Sequence, residues 1–125
     1  MTSTRPLIAV VDDDVSVRRA LARLLRAAGY RTETFADAEA FLAHLASHPP
    51  RCLILDVRMP GMSGLELHDR LMAERHAIPT IFITGHGDST MAARAIEAGA
   101  AGFLLKPFED EQLLVAVRGA VGQGP

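Results

Sequence analysis

Five short apolar segments alternate along this chain with five segments whose apolar residues recur at helical spacing. The apolar segments are Leu7–Val11, Thr32–Phe35, Cys52–Leu55, Thr80–Ile83 and Gly102–Leu105. All but the second are nearly continuous hydrophobic runs, which is typical of parallel strands covered on both faces. The second run alternates apolar and polar residues, so it suits an edge strand.

The segments between these runs carry signals for helix ends. In the first, Leu21, Leu24 and Leu25 lie at helical spacing, Asp14 is a candidate N-cap, and Gly29 can end the helix. The later signals are Asp37 as the second N-cap, Ser63 with Glu66 as a capping box, an alanine-rich fourth helix over Ser89–Ala98, and the acidic start Glu109–Glu111 of the fifth. Five helices are therefore predicted.

Strictly alternating strands and helices predict an α/β domain with a parallel sheet, helices on both faces and right-handed crossovers. We expect the doubly wound strand order 2-1-3-4-5, because it places the alternating run at an edge. A length of 125 residues suits one such domain. We expect its core over about residues 7–121, with 122–125 as a tail or the start of a linker.

Composition makes several other classes of protein improbable. The net charge is −2, from 13 basic and 15 acidic residues without a dense run of either sign, so the sequence shows no footprint for nucleic acid or anionic lipid. No apolar stretch resembles a signal peptide or approaches the roughly 20 residues of a membrane span. We therefore expect a cytoplasmic protein that contacts neither membrane nor nucleic acid directly. Cys52, the only cysteine, is predicted to be a core residue.

Polar residues stand at the carboxyl ends of four predicted strands. Asp12 and Asp13 follow the first run, Asp56 the third, Thr84 the fourth and Lys106 the fifth. Ligands of doubly wound sheets bind beyond the carboxyl ends of the strands. We therefore expect these five side chains to meet at one edge of the sheet.

Three neighbouring carboxylates repel one another unless a positive charge lies among them. Oxygen ligands without Cys or His favour a hard cation, Mg²⁺ or Mn²⁺, over Zn²⁺. A lysine and a hydroxyl beside such an ion can bind an anion. This combination suits phosphoryl transfer to a carboxylate nucleophile.

By contrast, His44 and His48 have the spacing of a helical metal pair but lack a third ligand nearby in sequence, so we expect surface residues.

These residues lie in stretches that resemble the signature of the two-component receiver family, whose fold is flavodoxin-like. The resemblance covers Leu7 to about Val121. Its motifs are Val10-Val11-Asp12-Asp13, Asp56-Val57-Arg58-Met59-Pro60-Gly61-Met62-Ser63-Gly64, Ile83-Thr84-Gly85 and Lys106-Pro107. Two longer motifs further resemble the FixJ-type branch of transcriptional regulators: Thr84-Gly85-His86-Gly87-Asp88 and Lys106-Pro107-Phe108-Glu109-Asp110.

The resemblance implies that Asp56 accepts a phosphoryl group from a sensor histidine kinase. It implies Asp13 and Asp56 as direct metal ligands, with Asp12 mostly acting through water and the backbone carbonyl of Arg58 as a further ligand. Lys106 and Thr84 would assist the chemistry. The further implications are that Thr84 and Phe103 form a switch pair and that the Lys106–Pro107 peptide is cis. From its position two residues beyond Thr84, in a Gly-rich loop near the site, His86 is expected to tune water access to the acyl phosphate. Phe103 is equally compatible with an ordinary core aromatic.

Such a domain is expected to control an output, namely transcription, without being an enzyme in the usual sense, although it would catalyse its own phosphorylation and dephosphorylation. A stand-alone shuttle or scaffold receiver is the alternative within the family. A Mg²⁺-dependent aspartyl-phosphate phosphatase would want an acidic residue where Arg58 stands. A flavodoxin-like binding module would want a Ser, Thr and Gly loop in place of Asp12–Asp14.

Apolar residues crowd more than one side of the predicted fourth helix, including Met91, Ala93 and Ile96. A helix that buries one stripe needs fewer, so part of this surface is expected to stay exposed. We therefore expect a phosphorylation-dependent homodimer through residues 89–105. Helix propensity alone also favours alanine here and leaves a second explanation open.

Overall fold

In the computed structural model, which describes residues 5–85 and 89–122, the five apolar runs form one parallel sheet. The strands are β1 (Leu7–Val11), β2 (Arg31–Phe35), β3 (Cys52–Asp56), β4 (Thr80–Thr84) and β5 (Gly102–Leu105). Their order is β2-β1-β3-β4-β5, which confirms the predicted topology. Asp56 and Thr84 belong to their strands as the last residues rather than following them.

Five helices connect the strands. They are α1 (Val15–Ala27), α2 (Ala38–Leu45), α3 (Gly64–Ala73), α4 (Ser89–Glu97) and α5 (Asp110–Val121). Asp14 caps α1, Asp37 caps α2, and Ser63 forms a capping box with Glu66 at α3, all as predicted. Gly29, with φ of 98°, follows α1 in the left-handed conformation that glycine tolerates best. No helix in the described part of the chain is both long and apolar enough to cross a bilayer.

The sheet separates two hydrophobic clusters. On one face, α1 and α5 cover Ile8, Val10 and their neighbours, whereas α2, α3 and α4 cover Ala9, Val11 and theirs on the other. Successive strand residues point to opposite faces, and every residue of β1, β3 and β4 is buried. Burial on both faces explains the continuous apolar runs in these strands.

β5 is less covered than its apolar sequence predicts. Gly102, Phe103 and Leu104 are half-buried, and Leu105 is 49% exposed. An open sheet has two edges, and β5 forms the one opposite β2. The expectation of complete cover was therefore wrong for this strand.

Cys52 is a buried core residue, as predicted. Burial raises the pKa of its thiol to about 12. The thiol therefore stays protonated and acts as a small apolar side chain.

Candidate active site at the carboxyl edge of the sheet

The sheet topology brings the predicted site residues to one edge. Asp12 directly follows β1, and Asp56 ends β3, the strand paired with β1 in the register Val11 opposite Leu55. Thr84 ends β4, which lies on the other side of β3. Lys106 follows β5, and its backbone N–H donates to the carbonyl of Thr84 at 2.8 Å.

An acidic cluster forms the centre of this edge. Asp12, Asp13 and Asp56 each present a carboxylate oxygen within 4.8 Å of the other two, a grouping of potential metal ligands not repeated in residues 5–85 and 89–122. Asp12 and Asp56 are buried, whereas Asp13 is exposed and leaves the cluster open to solvent. An all-oxygen donor set with one open side fits Mg²⁺ or Mn²⁺, because such ions keep several of their waters.

Lys106 supplies the positive charge within the site. Its Nζ lies 2.9 Å from Asp12 Oδ2 and 3.8 Å from Asp56 Oδ2. The lysine side chain is only 24% exposed, so the ammonium group is mostly withdrawn from water and paired. The Lys106–Pro107 peptide bond is cis, which confirms that expectation.

Backbone contacts hold Asp12 in place. The Asp14 N–H donates to Asp12 Oδ1 at 2.9 Å, and Arg18 donates from its guanidinium to the Asp12 carbonyl at 2.7 Å. The first bond orients the Asp12 carboxylate, which is completely buried, and the second holds the Asp12 main chain. The position of Asp12 in the acidic cluster is therefore linked by hydrogen bonds to the start of α1.

The pKa of Asp56 is raised from 3.8 to about 6, chiefly by burial and next by the neighbouring Asp12 carboxylate. The Lys106 ammonium and the Arg58 N–H, which donates to Asp56 Oδ1 at 3.3 Å, act in the opposite direction, and Asp13 adds a smaller upward effect. In the ionised cluster, the positive charge of Lys106 does not balance the negative charge of the three carboxylates. A divalent cation would supply the missing positive charge.

Gly64 has a structural role that the sequence interpretation missed. Its N–H donates to the Val57 carbonyl at 2.9 Å, and a Cβ added at Gly64 would lie 2.2 Å from the Asp56 carbonyl oxygen. No side chain larger than hydrogen fits there without a shift of the backbone. A glycine directly after the N-cap Ser63, where other residues favour a helix more strongly, was the available signal.

The predicted switch residues lie on neighbouring strands. Thr84 is completely buried, and its register partner on β5 is Leu105. Phe103 is half-buried, pairs with Phe82, and packs against the cluster under α2, α3 and α4. The switch role of this pair stays a prediction. His86, to which we assigned control of water access, lies outside the described residues.

Within the part of the chain that the structure describes, the two histidines near the end of α2 do not form a grouping of potential metal ligands like the acidic cluster at the sheet edge. The rings of His44 and His48 stack at 4.8 Å between centroids, and His44 also contacts the Glu33 carboxylate. Stacked rings do not converge on a common ion. Both were predicted to be surface residues; His48 is exposed and His44 is half-buried.

Comparison with known proteins gives one consistent result. Residues 8–118 match the model of the response regulator receiver domain family. Response regulator protein TmoT of Ectopseudomonas mendocina is 47% identical over 125 residues, and transcriptional regulatory protein FixJ of Bradyrhizobium diazoefficiens is 42% identical over 121 residues. The solved structure of FixJ-N superposes with a TM-score of 0.90 at 40% identity and covers 98% of each chain.

The match to the curated relatives is partial on their side. TmoT is matched by all of this chain over 57% of its own length, and FixJ by 97% of this chain over 59%. The structure of response regulator StyR, at 50% identity and a TM-score of 0.86, is likewise covered over 60% of its length. This chain therefore spans little more than half of these proteins.

Proposed function

This chain belongs to the response regulator receiver domain family, and from that premise we propose that Asp56 accepts a phosphoryl group from a sensor histidine kinase. The observation that carries the proposal is the position of the Asp56 carboxylate, buried at the carboxyl edge between two acidic neighbours and Lys106. A buried carboxylate with a raised pKa in such a cluster is typical of a functional group.

The groups at the site would have different roles in binding a metal ion. Asp13 and Asp56 would hold Mg²⁺ or Mn²⁺ directly, with Asp12 mostly through water and the Arg58 carbonyl as a further ligand. When bound, the ion neutralises charge on the phosphoryl oxygens. A cation held by these residues would also lower the pKa of the Asp56 carboxyl and favour its ionised, nucleophilic form.

In the transfer itself, an Asp56 carboxylate oxygen forms a bond to phosphorus while the bond between phosphorus and the donor's imidazole nitrogen breaks. The electron pair of that bond leaves with the imidazole. Lys106, 3.8 Å from Asp56 Oδ2, would pair with the new dianion, and the Thr84 hydroxyl would donate a hydrogen bond to it. The domain would thereby catalyse its own phosphorylation and later hydrolysis without being an enzyme for a separate substrate.

The phosphorylated domain would act on an output. Transcription is the output we favour, since relatives such as FixJ are named transcriptional regulatory proteins. A cytoplasmic location, with no direct contact between this domain and nucleic acid, is part of the same proposal. A free-standing shuttle or scaffold would share the phosphoacceptor chemistry and differ only in lacking an output domain.

We also assign a phosphorylation-dependent homodimer to residues 89–105. Ile96 on α4 is 70% exposed and Leu105 on β5 is 49% exposed, which leaves large apolar side chains in water on this part of the surface. Thr84 lies at the end of the strand paired with β5. Movement of its hydroxyl towards a phosphoryl group could therefore reshape this surface.

Intact-mass spectrometry tests the phosphoacceptor assignment. Incubation with a small phosphodonor such as acetyl phosphate and Mg²⁺ is expected to add one phosphoryl group to the wild type. No gain is expected with a chelator present or in Asp56→Asn, which keeps the shape of the side chain but removes the nucleophilic carboxylate. Equal modification of Asp56→Asn would overturn the assignment.

A further inference from the structure

A groove on the outer side of α1 collects positive charge away from the acidic site. It lies between α1 and the edge strand β2, has a volume of about 500 Å³, and is lined by Arg18, Arg19, Ala22, Arg23, Arg26 and Thr34. Four of the six lining residues are arginines in a chain whose net charge is −2. This concentration of one sign requires an explanation.

None of these four guanidinium groups forms an ion pair with a carboxylate in the described part of the chain. Two of them are instead oriented by backbone carbonyls, Arg18 by Asp12 at 2.7 Å and Arg26 by Thr32 at 2.9 Å. By comparison, Arg70 on α3 pairs with Glu74. The groove therefore holds four positive charges, two of them oriented by the backbone, without an acidic partner among the described residues.

This arrangement works against α1 itself. The helix contains no acidic residue, and Arg19 with Arg23 and Arg23 with Arg26 form like-charged pairs at i,i+4 and i,i+3 spacing. Such like-charged pairs destabilise a helix. An anion bound among these arginines would replace their mutual repulsion with attraction and would stabilise α1.

We infer that this groove binds a linear oligophosphate, either an inorganic chain or the phosphate tail of a nucleotide. The planar fork of arginine matches phosphate oxygens in pairs. From Arg18 to Arg26 the helix rises about 12 Å, which suits a ligand with several charges in line. An acidic peptide carries at most one carboxylate per residue, about 3.3–3.6 Å of extended chain, and places less charge in the same volume.

Titration calorimetry with sodium tripolyphosphate tests the site, in about 0.15 M salt to screen diffuse attraction and with a chelator to prevent metal-mediated binding at the acidic cluster. Wild-type protein is expected to bind one equivalent. Arg19→Gln/Arg23→Gln should weaken binding by about tenfold or more, since charge-assisted bonds are lost. These two arginines are exposed, so the variant should fold normally.

The matched control is Arg70→Gln/Arg75→Gln, which removes the same charge from α3 and the residues that follow it, on the opposite face of the sheet. It should bind tripolyphosphate as the wild type does. Wild type that fails to bind, or equal weakening in both double variants, would contradict a defined site.

Three further ligands test the identity of the occupant. ATP that binds as tightly as tripolyphosphate, or more tightly, identifies the phosphate tail of a nucleotide as an occupant. Weaker binding of ATP identifies an inorganic chain. Tighter binding of a polyglutamate peptide or of duplex DNA would overturn the inference in favour of a macromolecular surface.

Discussion

Asp56 is a carboxylate whose ionised form is costly in the metal-free protein. Burial and Asp12 raise its pKa from 3.8 to about 6, so the folded state binds a proton more tightly than the unfolded state does. Its contribution to stability is then complete below pH 3.8 and is lost as the pH rises through about 6. Asp56→Asn should therefore stabilise the metal-free protein above this window, by up to about 3 kcal/mol.

Urea unfolding with a chelator present, on both sides of that window, measures the effect. The difference between Asp56→Asn and wild type should be large on the alkaline side and should shrink as the pH falls below about 6. An equally stable variant at every pH would show that the acidic cluster does not strain the fold. Saturating Mg²⁺ should reduce the difference, because the ion stabilises only the wild-type cluster fully.

At the scale of elements, the start of α3 fits directly beneath the end of β3. A methyl group at Gly64 would meet the Asp56 carbonyl oxygen at 2.2 Å, and both groups are backbone-anchored. Gly64→Ala should therefore destabilise the domain by about 1–3 kcal/mol or more, as overpacking does. The free energy of unfolding from urea titration gives the value.

Gly119 in α5 offers the matched control, since nothing lies within 4 Å of a Cβ built there. Gly119→Ala should stabilise the protein by about 0.5–1 kcal/mol, because alanine has the higher helix propensity. Destabilisation of similar size in both variants would mean that the clash at Gly64 is not the cause.

The apolar surface of α4 and β5 makes a separate prediction about assembly. Ile96→Glu places a charge where 70% of an isoleucine is exposed, so the fold should persist while dimerisation of the phosphorylated form weakens by about tenfold or more. Met72→Glu, at a residue 50% exposed on α3, should leave dimerisation unchanged. Light scattering with a phosphoryl mimic distinguishes these outcomes, and a fully dimeric Ile96→Glu form would exclude this surface.

Sequence alone predicted the elements well where the signal is local. The N-caps Asp14, Asp37 and Ser63 act on their own helix turn, and apolar runs reveal buried strands, so both could be predicted. The exposure of Leu105 depends on what packs over β5, and the clash at Gly64 depends on a carbonyl eight residues earlier. These tertiary facts have no periodic signature in the sequence.

For the whole molecule, the same logic explains why the site could be predicted. Parallel strand ends must share one edge, so the order of strands determines that Asp12, Asp56 and Lys106 meet. The arginine groove beside β2 was missed, although Arg18, Arg19, Arg23 and Arg26 all lie within α1 and their clustering on that helix was available from the sequence. Only the second wall of the groove, which Thr34 of β2 supplies, depends on how α1 packs beside the edge strand.

Metal binding should stabilise the entire domain, because the unfolded chain does not hold the three carboxylates together. Mg²⁺ is expected to raise the melting temperature of the wild type, and a chelator should reverse the shift. Asp13→Ala should abolish most of this response while leaving the metal-free protein folded, since Asp13 is exposed. An unchanged Mg²⁺ response in this variant would remove Asp13 from the ligand set.

The central claim is that the acyl phosphate forms on Asp56 and on no other carboxylate of the cluster. Borohydride reduces an acyl phosphate to the alcohol, so treatment of the phosphorylated protein should convert the modified aspartate to homoserine. Peptide sequencing by mass spectrometry is expected to find homoserine at position 56 only, and only when phosphodonor and Mg²⁺ were both present. Homoserine at position 12 or 13, or its absence from position 56, would contradict the account.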